Sequence, residues 1–214
     1  MDLYYSEMTF LPLFPLNLVA YPGEQLNLHI FEPRYRQLIT ECEQEKRTFG
    51  IPTYLHDRLT SYGTEMRIVE IHRRYEDGRM DISTLGLRVF YTKSVTNPVT
   101  DKLYAGGEVE FLENEPLAQI MPGLLERLKR LYQLLQTPFT FNLQQPHFSF
   151  YIAHKVGLSL EREYELLRLT SETERQVFLI RHLEEVLPVI AEMERTKERI
   201  RLNGHFKNLD PLNY

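Results

Sequence analysis

Residues 9–42 read TFLPLFPLNLVAYPGEQLNLHIFEPRYRQLITEC, and the punctuation of this stretch decides the fold. Leu11, Leu13, Leu16 and Leu18 form an apolar run broken by Pro12 and Pro15. A proline donates no backbone hydrogen bond, so the run predicts an edge or bulged strand rather than a central one. Tyr21-Pro22-Gly23-Glu24 has proline at the second turn position and glycine at the third, the signature of a type II turn with positive φ at the glycine. Leu26, Leu28 and Ile30 then alternate with Asn27 and His29 as a half-buried strand does. Phe31-Glu32-Pro33 opens a helix with proline near its first position, and Tyr35, Leu38, Ile39 and Cys42 fall on its inward face.

The succession L-P-L-F-P-L, then P-G, then L-x-I-F-E-P-R-Y resembles the opening of the N-terminal, substrate-binding domain of Lon proteases. Pro12, Phe14, Pro15, Pro22, Gly23, Phe31, Glu32, Arg34 and Tyr35 carry the resemblance. It continues more weakly through Gly63-Thr64, Ile82 to Phe90 and Tyr104 to Glu110. The resemblance implies an α+β chain, with a β-rich PUA-like pseudo-barrel followed by an α-helical subdomain, similar to a freestanding LON domain. It also implies a protein that holds polypeptide without cutting it. The motif residues are read as fold-defining, because prolines and glycine set backbone geometry, and Glu32 with Arg34 as a buried or half-buried polar pair.

Composition narrows the class. With 43% hydrophobic and 26% charged residues over 214 positions, the chain is an ordinary globular protein large enough for a real core. The opening residues carry acidic Asp2 and Glu7 and no basic n-region, so a secretory signal is not expected, nor a membrane span; the expected location is the cytoplasm. Cys42 is the single cysteine, which excludes an internal disulfide and a thiolate metal cluster, and it is read as a packed core thiol. Residues 1–115 hold 12 Lys and Arg against 18 Asp and Glu, a net −6, while 116–214 hold 13 against 12, a net +1. An acidic first half argues against nucleic acid as a partner, since that affinity comes from clustered cations.

Up to residue 115 the pattern is β-dominated. Phe49 to Pro52 and Thr64 to Ile71 read as strands, Asp77-Gly78 as a hairpin turn, and Met80 to Val95 and Leu103 to Phe111 as further strands, with Asn97-Pro98 as a break. From 116 to 214 the period changes to about 3.6. Leu124, Leu128, Leu131 and Leu135 stripe a helix starting at Pro122-Gly123; Phe148 to Val156 forms a short helix closed by Gly157; Ser159 caps the next. Ser171 and Glu174 make a capping box for a long last helix that contains Pro188, with a kink expected there, and stops at Gly204.

The chemistry-bearing modules of a complete Lon protease leave signatures that can be sought directly. No glycine precedes Lys-Ser or Lys-Thr, so the phosphate-cradling G-x-x-x-x-G-K-[ST] loop is absent, and no glycine-flanked serine of the Ser-Lys peptidase kind occurs. The chain is therefore expected not to be an enzyme and to need no cofactor. His147, His154 and His182 lack the carboxylates that a zinc site would add, and are read as packed or surface histidines. Glu41, Glu43 and Glu45 form a charge run read as solvated. Arg127, Lys129 and Arg130, and Arg195, Lys197, Arg199 and Arg201, suggest an RNA-binding module of PUA-like type as the alternative. However, Glu126, Glu192, Glu194 and Glu198 interleave them at ion-pair spacing. Thirteen tyrosines and twelve phenylalanines without tryptophan supply the more suggestive surplus. Phe139, Phe141, Phe148, Tyr54 and Tyr62, in expected loops and connectors, are the candidate polypeptide-binding residues. They are expected around a groove between the halves, where an unfolded protein or a protease component would sit.

Overall fold

The computed structural model describes residues 8–115 and 119–206, with side chains as far as Arg201. Its strands are β1 (Thr9–Leu13), β2 (Gln25–Ile30), β3 (Phe49–Leu55), β4 (Arg58–Arg74), β5 (Met80–Thr96) and β6 (Ala105–Phe111). Their order is β2-β5-β4-β3-β1-β6, and β5 also pairs with β6, so five strands close a ring and β2 lies outside it. Closure depends on the length of β5. Its 17 residues pair β2 through Met80–Leu85 and reach β6 through Phe90–Thr96. Leu11, Leu13, Phe90 and Val109 fill one cluster of the interior. Helix α1 (Pro33–Gln44) lays Tyr35, Leu38, Ile39 and Cys42 into a second, with Phe14, Phe49, Met66 and Ile82. Cys42 is the packed thiol expected, 1% exposed, and burial pushes its pKa up to about 11.

The proline-broken run is not an edge. β1 pairs antiparallel with β6 along Thr9–Leu13 and meets β3 in parallel at Leu13 opposite Gly50. The amides of Phe14 and Leu16 donate to Gly50 and Pro52 at 2.8 and 3.3 Å, so by parity the missing donor of Pro12 faces β3 upstream of the first such bond. The prolines thus delay one ladder without forfeiting it. The open edge belongs to β2, which pairs with β5 alone and alternates in burial as its Leu-x-Leu-x-Ile pattern requires. Local turn chemistry behaves as read. Gly23 has φ +82°, with the amide of Glu24 donating to the Tyr21 carbonyl at 3.1 Å, and Gly78 has φ +84° in the β4–β5 hairpin.

Four further helices follow: α2 (Pro122–Leu134), α3 (Phe148–Ala153), α4 (Leu160–Leu167) and α5 (Glu172–Phe206). Contacts group the chain into two compact units, 1–118 with 144–175 and 119–143 with 176–214. In the first unit, fully buried Arg175 holds the chain together. Its Nε donates to Ser149 Oγ at 2.8 Å, its Nη2 to Glu172 Oε2 at 2.8 Å, and its Nη1 to the carbonyls of Leu169 and Thr170 at 2.7 and 2.9 Å. A guanidinium has five N–H donors in a fixed fork, which suits it to the orphan carbonyls behind α4. In the second unit, α2 buries Leu124, Leu128 and Leu131, and Gln176 of α5 supplies its side-chain carbonyl to the Met121 amide at 2.7 Å. Helix α5 runs through Pro188 and past Gly204, where a stop was expected. A helical glycine costs only about 1 kcal/mol, less than a break needs. Among the described residues no helix is long and apolar enough to cross a membrane.

Candidate functional site

One end of the barrel opens into a cleft of about 430 Å³. Four chain segments meet there: Pro15, Leu16 and Asn17 leaving β1, Tyr54 and Leu59 flanking the β3–β4 turn, Val95 and Asn97 leaving β5, and Ala105 entering β6, with Arg34 and Tyr35 of α1 beside them. The turn is short and left-handed at both central residues, His56 (φ +49°) and Asp57 (φ +59°), the backbone that matches the twist of a two-residue hairpin. A register shift between Pro52 and Tyr54 marks where β3 departs from regular pairing. The Tyr54 hydroxyl donates to the Asp57 carbonyl at 3.0 Å, and its amide donates to Leu16 at 2.7 Å. Its ring is thereby held at the rim, 40% exposed, and Val95 is 45% exposed. Hydrocarbon left open on a fixed frame suits an apolar ligand segment.

The opening motif divides between core and cleft. Phe14 and Tyr35 stack with ring centroids 3.9 Å apart, and Pro12 and Pro22 are buried. Burial raises the Tyr35 phenol above its ordinary pKa, against the lowering influence of Arg34, so the ring stays neutral. Arg34 lies 4.5 Å over the Tyr35 ring and bonds Glu32 at 2.8 Å; of the buried or half-buried pair expected, Glu32 is half-buried and Arg34 is exposed. Glu32 is the N-cap residue of α1, and both ions keep enough solvent contact for the pair to contribute little to stability. Phe31 is exposed between β2 and α1. Pro15, Arg34 and Tyr35 thus line the cleft, and of these Tyr35 also packs into the core.

Of the aromatics singled out from sequence, the three in the first unit, Tyr54, Tyr62 and Phe148, lie in three separate environments. Tyr54 is at the cleft. Tyr62 sits in a separate cluster of the first unit, 5.1 Å from the Tyr91 ring and 6.2 Å from Tyr164, with the Arg168 guanidinium 5.4 Å over it. Phe139 and Phe141 stack edgewise on each other and on Tyr132 at 4.9 to 5.9 Å in the second unit. Phe148 is fully buried, because α3 turns it inward.

Two charged clusters were missed. Glu41 is no solvated member of a charge run. It accepts hydrogen bonds from Tyr104, from Lys102 Nζ at 2.9 Å and from Gln37 Nε2 at 3.0 Å; burial works against its charge, yet these donors hold its pKa below the ordinary value. His154 donates Nδ1–H to Glu163 at 2.7 Å and Nε2–H to Glu24 at 3.3 Å, beside the Tyr21 ring. Burial opposes its charge, but the two carboxylates raise its pKa to about 10. Among the described residues no three His, Cys, Asp or Glu side chains converge as a metal site.

A closed five-strand ring with one outer strand, followed by helices, defines a mixed α+β barrel domain. The family model for the ATP-dependent protease La (LON) substrate-binding domain matches residues 10–185, and the chain belongs to that family. Among solved structures it is similar to a Lon N-terminal domain protein from Xanthomonas campestris, with 27% identity and a TM-score of 0.67 over 80% of this chain and 97% of that one. It is also similar in fold to the N-terminal domain of a Lon protease from the Mycobacterium avium complex, with 19% identity and a TM-score of 0.61 over 82% and 98%.

Proposed function

We propose that this chain is a non-catalytic, cytoplasmic module of proteolysis or quality control that binds short apolar segments of unfolded polypeptide at the barrel mouth, with a protease component as a second partner. The observation that supports the reading is the double use of the motif. Pro15, Arg34 and Tyr35, which carry the family signature, also line a cleft of mixed, mainly apolar character beside exposed Tyr54 and Val95. Rings and aliphatic side chains held by a rigid rim gain contact at little entropic cost. The Arg34 guanidinium, 49% exposed, still has N–H donors to offer a peptide carbonyl. Fluorescence anisotropy with labelled apolar peptides and a reduced, alkylated test protein checks the proposal. Tyr54→Ala combined with Val95→Asp should weaken binding at least about tenfold at unchanged fold, the value of roughly 1.4 kcal/mol for one lost anchor. Absence of binding across the panel by folded protein refutes it, and salt-sensitive retention of RNA instead favours the alternative.

A further inference from the structure

Past the family match, which ends at residue 185, α5 continues to Phe206. On this extension Val189, Met193 and Ile200 are 59%, 55% and 67% exposed. With Thr196 they fall at spacings of four, three and four, the rhythm of a coiled-coil seam. At 100° per residue the seam lies about 110–150° around α5 from Leu183, Leu187 and Glu194. Three large apolar side chains on one seam are a surface without a cover among the described residues.

We propose that this seam pairs with the same seam of a second copy of this chain, in antiparallel orientation. The charges beside it choose both the occupant and the direction. Glu192 and Arg199 occupy one flank, seven residues apart. Antiparallel pairing sets Val189 opposite Ile200 of the partner subunit and Met193 opposite Thr196 of the partner subunit. It also brings Glu192 to Arg199 of the partner subunit, twice by symmetry. Arg199 has no ion partner among the described residues, whereas Lys197, the cation that a parallel pair would use against Glu192, is already held by Glu194 at 2.6 Å. Among the described residues, antiparallel pairing therefore recruits a cation without an ion partner and breaks only the loose Glu192–Arg195 contact at 3.6 Å. Four layers over the twelve residues from Val189 to Ile200 span about 16 Å. That is below a standard interface, so the expected dissociation constant is roughly 10–500 µM.

Sedimentation velocity of the full chain from about 10 µM to 1 mM should show a monomer–dimer equilibrium. Ile200→Glu should abolish it, Arg199→Glu should weaken it roughly tenfold, and Glu192→Arg with Arg199→Glu should restore it, because the pair is then reversed and not lost. Circular dichroism confirms equal helix content. Under mild oxidation, Glu192→Cys mixed with Arg199→Cys should cross-link faster than either alone, and buried Cys42 does not compete. A monomer at every concentration, a dimer indifferent to Arg199→Glu, or cross-linking of Arg199→Cys with itself in preference to the mixture overturns the proposal.

Discussion

Replacing His154 with glutamine tests how the Pro22-Gly23 turn is fastened to the helices of its own unit. The protonated ring bridges Glu24, next to that turn, and Glu163 of α4, while the Tyr21 hydroxyl donates to the Glu163 carbonyl at 2.9 Å and the Tyr21 amide to Glu24 Oε2 at 2.9 Å. A rise in pKa from 6.5 to about 10 would correspond to nearly 5 kcal/mol in a closed interior. The ring is 36% exposed, however, and solvent screening reduces the contribution to about 1–2 kcal/mol. The sign follows from linkage. Because the folded pKa lies above the unfolded one, the stabilisation is complete below about pH 6.5 and is lost as pH rises toward 10. The Tyr21 phenol, raised further by burial and by the two carboxylates, does not titrate in this window. Urea denaturation of wild type and His154→Gln at pH 6, 8 and 10 should give a difference of about 1–2 kcal/mol at pH 6 that shrinks steadily and vanishes near pH 10. A difference that is constant with pH, or that grows toward alkaline pH, refutes the assignment of the charge to His154.

Arg175→Met should cost about 3–5 kcal/mol in urea denaturation, because it strands the 3%-exposed Glu172 carboxylate; adding Glu172→Gln should recover part of the loss, and no recovery would mean the cost is packing. Gly86→Ala places a Cβ about 2.1 Å from the Tyr21 carbonyl, a backbone atom that cannot swing away, so the variant should lose most of its stability or fail to fold, while Gly157→Ala, open in space but at φ +76°, should lose only about 1 kcal/mol. Ser159→Ala removes a long 3.4 Å cap and should lower stability by only about 0.5 kcal/mol. Phe139→Ala with Phe141→Ala should leave peptide affinity within about twofold of wild type if the barrel mouth is the binding site, and a tenfold loss in anisotropy would move that site to the second unit.

What could be read from the chain was what neighbouring residues decide among themselves. Pro22-Gly23 forces a turn wherever it lies, Leu124, Leu128 and Leu131 face one way on any helix, and Ser159 caps α4 through the amide three residues on. The position of β1 was beyond such reasoning, since Pro12 tells only that one backbone donor is missing; that β6 would cover one side and β3 join the other depends on strands far along the chain. Glu41 and Glu172 make the same point for charges. Each stands in a run of ordinary helix-surface acids, and only the arrival of Lys102 and Tyr104 makes Glu41 a half-buried acceptor, as that of Ser149 makes Glu172 a buried one. Aromatic residues in connectors are the hardest case, because Phe148 and Tyr54 carry similar local signals and differ in which elements fold over them. The cleft is non-local in origin too: its wall is drawn from both ends of the barrel strands' sequence, so no window contains it. A motif that both shapes the barrel and lines its mouth cannot be divided by sequence into structural and binding parts. Substitutions at Arg34, which is exposed and does not hold the core, separate the two roles better than substitutions at Phe14, where loss of the Tyr35 stack would destroy both.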